Sequence, residues 1–254
     1  MLARSVLVIA LLALPLLGRV PPASASGGLS ASTTGHGVRI TLSVPQASYP
    51  RNALIQASIR VTNLSSHAIE YYPGSICGGN PEVEVTNNRG IVEYPPAIAG
   101  APIPSCGPAR LHYPQIRPGA TKVWHSYAIL GGAHLQAHIS ITQSQLYVYS
   151  PTVTAHLISA PPLVAALRVS PRVTLQITPP TTATGPLLYA SWWGCKVSNG
   201  AEFGGGGIGW QEATGDILSP DWDRSCGTQR EWHVVAGWVG QPVVVANVGP
   251  HVEP

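Results

Sequence analysis

The chain has 254 residues, 44% of them hydrophobic and only 10% charged, against roughly 25% charged in ordinary soluble proteins. Fourteen basic and 11 acidic side chains give a formal net charge of +3. That surplus is too small to hold nucleic acid or an anionic membrane by overall charge, and the length fits one large or two ordinary domains.

The first 25 residues read as a secretory signal peptide. Arg4 precedes an apolar run over 6–14 that continues past Pro15 to Leu17, and Ala23-Ser24-Ala25 makes a small-residue cleavage site. A membrane anchor needs about 20 apolar residues, more than this interrupted run supplies. No later stretch is long and apolar enough either, so the expected location is secreted or extracytoplasmic, with no membrane span once the signal is removed. Removal also takes away Arg4 and Arg19, leaving 12 basic against 11 acidic side chains. So few carboxylates leave little paired charge to lose as pH falls. An acidic external habitat and codon bias toward Ala, Gly, Pro and Arg account equally well for that composition.

Cys77, Cys106, Cys195 and Cys226 all lie in the exported part, as two pairs about thirty residues apart. Four cysteines allow three connectivities, and sequential pairing, one bridge per half, is the expectation. A bridge closing such a loop contributes roughly 3.5 kcal/mol in the chain-entropy model. No CxxC or CxxH spacing occurs, which argues against metal ligation.

Residues 26–37 are rich in Ser, Thr and Gly and are expected to be a disordered leader. Short alternating runs follow at 38–44, 53–63, 68–72, 82–87, 90–94, 121–130, 135–141 and 152–158. In the second run Ile55, Ala57, Ile59 and Val61 share one face, and Gln56, Ser58, Arg60 and Thr62 the other. Period two with one polar face predicts half-buried antiparallel strands. Asn87-Asn88-Arg89-Gly90 tolerates positive φ, which predicts a hairpin over 82–94. Many short strands separated by turn residues predict a β-sandwich.

A strand ending in Asn63, the turn LSSHA, the strand IEYYPGS, the segment EVEVTNNRGIVEY and then QIRPGATKVWHSYAI follow in order. This order resembles the BsuPI-type proteinase-inhibitor domain over about 38–158. Ala120 stands where that family favours Glu after the Pro-Gly of Pro118-Gly119. The resemblance implies an Ig-like sandwich and, less directly, proteinase inhibition. The Cys77 and Cys106 pair departs from a cytosolic inhibitor and suits an exported relative.

Pro161-Pro162 and a Pro/Thr-rich connector over 177–186 place a boundary near 161. The second half holds apolar runs at 187–195, 210–218, 231–239 and 241–248, a Gly-rich stretch at 199–209 read as a flexible loop, and six of the seven tryptophans.

Candidate chemistry is sparse. His134 and His138 would share a helix face as ligands, but on a strand they stand about 13 Å apart, too far for one ion. Asp216, Asp221 and Asp223 precede Cys226, with Glu212 upstream; loop carboxylates of this kind serve turns more often than catalysis or calcium. The Gly204–Gly207 run lacks the Lys-Ser/Thr and the helix of a phosphate loop, and no serine sits in a G-x-S-x-G context. Asn63-Leu64-Ser65 matches a short glycosylation motif.

Trp192, Trp193, Trp210, Trp222, Trp232 and Trp238 remain as candidate ligand- or partner-binding residues. Trp192 and Trp193 are adjacent, so on a strand they point to opposite faces and need cover, or a ligand, on both. The sequence thus predicts an all-β, exported, non-enzymatic binding or structural protein without a cofactor or metal. It has an Ig-like antiparallel β-sandwich domain over 38–160 and a smaller Trp-rich β-domain over 161–254. Its expected partner is an extracellular protein, as for a proteinase inhibitor, or a glycan held by the C-terminal tryptophans.

Overall fold

The computed structural model describes residues 27–71, 74–75, 78–79, 82–87, 113–141, 146–168, 173–196, 202–219 and 229–251. The signal segment, Cys77, Cys106, Trp222, Cys226, Asp221, Asp223 and the second arm of the predicted 82–94 hairpin lie outside the described residues, and of Cys195 only the backbone is described. The cysteine pairing therefore also falls outside them.

Every regular element among the described residues is a strand. The first half contains β1 (Leu29–Gly35), β2 (Val38–Val44), β3 (Ser48–Pro50), β4 (Leu54–Asn63), β5 (Ile69–Glu70), β6 (Gly74–Ser75), β7 (Gly78–Gly79) and β8 (Glu82–Thr86). It continues with β9 (Gln115–Ile116), β10 (Thr121–Ile129), β11 (His134–Ile141), β12 (Leu146–Tyr149), β13 (Val153–Thr154) and β14 (His156–Ile158). The second half contains β15 (Ala165–Arg168), β16 (Thr174–Ile177), β17 (Leu188–Lys196), β18 (Glu202–Glu212), β19 (Ile217–Leu218), β20 (Gln229–Gly237) and β21 (Val244–His251).

Two antiparallel sheets make the body of the first half. One runs β1-β2-β4-β10; in the other β11 is flanked by β12 and β13 on one side and by β8 on the other. The alternation of β4 explains its place: Ile55, Ala57, Ile59 and Val61 are buried, while Arg60 between them is exposed. On β11, Leu135, Ala137, Ile139 and Ile141 are buried in the same rhythm, and the two apolar faces join β2 in one core. Each large aliphatic side chain so buried contributes about 1.5–3 kcal/mol. The protein is all-β, with several antiparallel sheets arranged in a sandwich-like way.

Two expectations are corrected here. The segment expected to be a disordered leader over 26–37 holds a strand: β1 pairs with β2 along its whole length, from Leu29↔Val44 to Gly35↔Val38. Leu29 and Ala31 pack on the core, and His36 and Gly37, both at positive φ (51° and 74°), close a two-residue turn of the kind that suits strand twist. From Glu202 onward the Gly-rich stretch is likewise no loop, since β18 pairs with β17 and sets Gly207 opposite Trp192 and Gly206 opposite Trp193. A glycine opposite a large side chain leaves that side chain room, at the expense of local regularity. Register shifts between Tyr189 and Ser191 and between Gly194 and Lys196 show the irregularity. The first arm of the predicted 82–94 hairpin, β8, is a strand, and it pairs with β11.

The turn after β4 is built on one side chain. Asn63 is fully buried; its Nδ2 donates to the carbonyls of His67 (2.7 Å) and Ile116 (2.8 Å), and its Oδ1 accepts from the amide (2.9 Å) and hydroxyl (2.8 Å) of Ser65. With two donors and two acceptor bonds in use, the buried amide carries no desolvation debt.

The second half holds a β18-β17-β20-β21 sheet and a β15-β16-β19 sheet. Val173, Leu175, Ile217, Trp232, Val234 and Ala236 form the core between them. Strands up to β14 pair among themselves, as do those from β15 onward, and the two halves meet around Leu54. The Leu54 amide donates to the carbonyl of Gln241 (2.9 Å), and its own carbonyl accepts from Gly240 (2.7 Å). Leu54, Ile129, Leu188 and Val235 pack there as a third apolar cluster.

Candidate functional site

The tryptophans come first, because the sequence singled them out. Trp232 has no exposed surface and Trp238 is 6% exposed, so both rings are spent on packing. Trp193 lies against the second-half core, while Trp192 and Trp210 pack on the cluster that joins the halves. Adjacent residues on β17 thus point opposite ways, each half-buried against an apolar cluster. The Trp210 ring also meets Tyr127 of β10, with centroids 6.1 Å apart. Trp232 and Trp238 are therefore closed to a ligand, and Trp192, Trp193 and Trp210 are divided between two apolar clusters.

The other sequence candidates are dispersed as well. Asp216 accepts a hydrogen bond from Gln176 at 2.7 Å, and Glu212 is exposed at the end of β18. His134 bonds Thr154 at 3.0 Å, whereas His138, on the same face of β11, keeps different company. His125 is exposed on β10; His233 bonds Asn247 at 3.0 Å and lies 3.8 Å from the Glu231 carboxylate. Among the described residues no group of three or more His, Cys, Asp or Glu side chains is placed to hold a metal ion. No helix there is long and apolar enough to cross a membrane.

An open aromatic surface does exist, on the outward face of the β8-β11-β12 sheet. In β12, Val148 points into the core, which sends Tyr147 and Tyr149 outward, 56% and 43% exposed. Register sets Tyr149 opposite His138 and His138 opposite Glu82, so the three strands put this group on one face. The His138 ring sits against both tyrosines, centroids 5.5 and 5.3 Å away, and the two tyrosine centroids are 6.3 Å apart. Its Nδ1 is buried without a hydrogen-bond partner, 3.7 Å from Oε1 of Glu84. That distance leaves a charge attraction when the ring is protonated, and no hydrogen bond. The result is two exposed phenol rings braced by an imidazole, with a part-exposed carboxylate beside them. Rings fixed in this way offer apolar faces and hydroxyl edges at low entropic cost.

Sequence reading missed this pair. Its signal was the LYVY run at 146–149, where two tyrosines fall on the phase opposite Val148.

No family model matches the chain, and no curated protein matches it. The resemblance to BsuPI-type domains accordingly rests on strand order and turn chemistry.

Proposed function

We propose that the protein is an exported, non-enzymatic binding protein that takes a glycan on the outward face of the β8-β11-β12 sheet. The observation that carries this reading is the exposed pair Tyr147 and Tyr149, held by His138 on a rigid sheet. Sugar rings have apolar C–H faces that stack on phenol rings, and hydroxyls that bond to carboxylate and imidazole edges. The part-exposed Glu84 carboxylate supplies such an edge. Export is supported by the signal-like residues 1–25, and the tryptophans serve the architecture in this reading. Titration against a panel of neutral oligosaccharides, followed by calorimetry, tests it. Tyr147→Ala or Tyr149→Ala should weaken binding about tenfold or more, near 1.4 kcal/mol, with the unfolding midpoint unchanged. Absence of binding across the panel, or binding indifferent to both substitutions, overturns it.

The resemblance supports a second reading, proteinase inhibition by an Ig-like N-terminal domain. The Asn63-centred turn that begins the matched pattern is fully hydrogen-bonded, as a framework turn requires. Failure to inhibit a panel of serine proteases removes this version without touching the first.

A further inference from the structure

The outward face of the β1-β2-β4-β10 sheet has a different chemistry. Register brings Arg39 of β2 opposite Thr62 of β4, and Arg60 of β4 opposite Thr41 of β2. The two arginines are therefore diagonal neighbours on one face, about 7–8 Å apart at the backbone. Both are exposed, and neither has a side-chain partner among the described residues. The surrounding hydroxyls are turned to one another instead: Ser30 with Ser43 (2.9 Å), Thr41 with Ser32 (2.9 Å) and Thr62 with Thr121 (2.8 Å). No position that the register places on this face is Asp or Glu.

In a chain with only 10% charged residues, two neighbouring guanidinium groups without a carboxylate in reach concentrate one sign of charge. Each presents a planar fork of N–H donors that matches the oxygens of a sulfate or phosphate. Four strands at about 4.8 Å spacing spread these groups over an extended surface, which suits a polymer better than a small molecule. The hydroxyls match a polysaccharide. For stacking bases the face offers a single exposed imidazole, His125, because Tyr127 is half-buried against Trp210. We infer that this face binds a sulfated polysaccharide through Arg39 and Arg60. The site is separate from the tyrosine face and does not rest on the reading given to it.

Dextran sulfate and neutral dextran of equal length, immobilised and eluted with a salt gradient, test the inference on the full exported chain. The parent protein should be retained on dextran sulfate at low salt, released as salt screens the charges, and pass through neutral dextran. Arg39→Gln with Arg60→Gln should weaken binding at least tenfold with an unchanged unfolding midpoint; either single variant serves if the double variant fails to fold. Tyr147→Ala should bind dextran sulfate like the parent. Flow-through of the parent, parental retention of the arginine variant, or tighter binding to polyphosphate or single-stranded DNA than to dextran sulfate overturns the inference.

Discussion

The side-chain amide of Asn63 on β4 donates to the carbonyl of Ile116 on β9 across 2.8 Å, fully out of solvent. The same nitrogen holds the His67 carbonyl, so one side chain ties a tight turn to a strand far along the chain. Asn63→Asp keeps the shape and sets oxygen where two N–H donors stood. Losing both donated bonds beside a buried carboxyl should cost about 3 kcal/mol or more in denaturant unfolding; a loss under about 1 kcal/mol would contradict the assigned bonds. A glycan on this nitrogen is incompatible with the fold for the same reason.

Leu54 is completely buried where the halves meet. Leu54→Ala should cost about 2–5 kcal/mol, as other large-to-small core changes do. The joint also predicts one shared unfolding transition. Tryptophan fluorescence, dominated by the second half, and far-UV circular dichroism should give coincident curves in parent and variant. Two separated transitions would mean that the halves fold independently.

Gly132 abuts the end of β8: a Cβ there would stand 2.3 Å from the Thr86 carbonyl oxygen. Backbone cannot swing away as a side-chain end can, so Gly132→Ala should displace β8 from β11 and cost about 1–3 kcal/mol. Gly185 has open space around it but a φ of +77°, and its Ala variant should lose only about 1 kcal/mol. Thermal midpoints of the two variants in the reverse order would refute this ranking.

Burial pushes the Tyr49 hydroxyl above its ordinary value near 10, an effect only partly offset by the hydrogen bond from the Gln46 amide. Above pH 10 the unfolded chain ionises this tyrosine while the folded protein still holds its proton, so the folded state loses ground as pH rises. Tyr49→Phe gives up the hydrogen bond, about 1 kcal/mol at neutral pH. The stability gap between parent and variant should narrow from pH 9 to pH 11. A gap that stays constant or widens would show that Tyr49 ionises as readily folded as unfolded.

Much of the fold was legible wherever a strand carries apolar residues on one phase, as β4 and β11 do. β1 was not, because Leu29 and Ala31 are all the apolar side chains it offers, and its stability comes from pairing with β2. His36-Gly37 is also a rare dipeptide for its turn. His36→Asn should raise stability by a few tenths of a kcal/mol, since Asn tolerates positive φ better; chemical denaturation reads the change. The Gly-rich strand hid for a related reason, as glycines have no side chains to alternate. At the candidate site the tryptophans drew attention by size, yet large rings in a small β-protein are first consumed by its cores. The open aromatics were tyrosines on a four-residue strand, too short for periodicity to single out.

The bonds between Leu54 and residues 240 and 241 have a further meaning for how the molecule comes into being. Residue 54 waits for residues 240 and 241, so a ribosome must make all of the chain between them before this joint can close. Until then Leu54 and Ile129 stay uncovered, and a chaperone or a neighbouring nascent chain has its best opportunity to hold them.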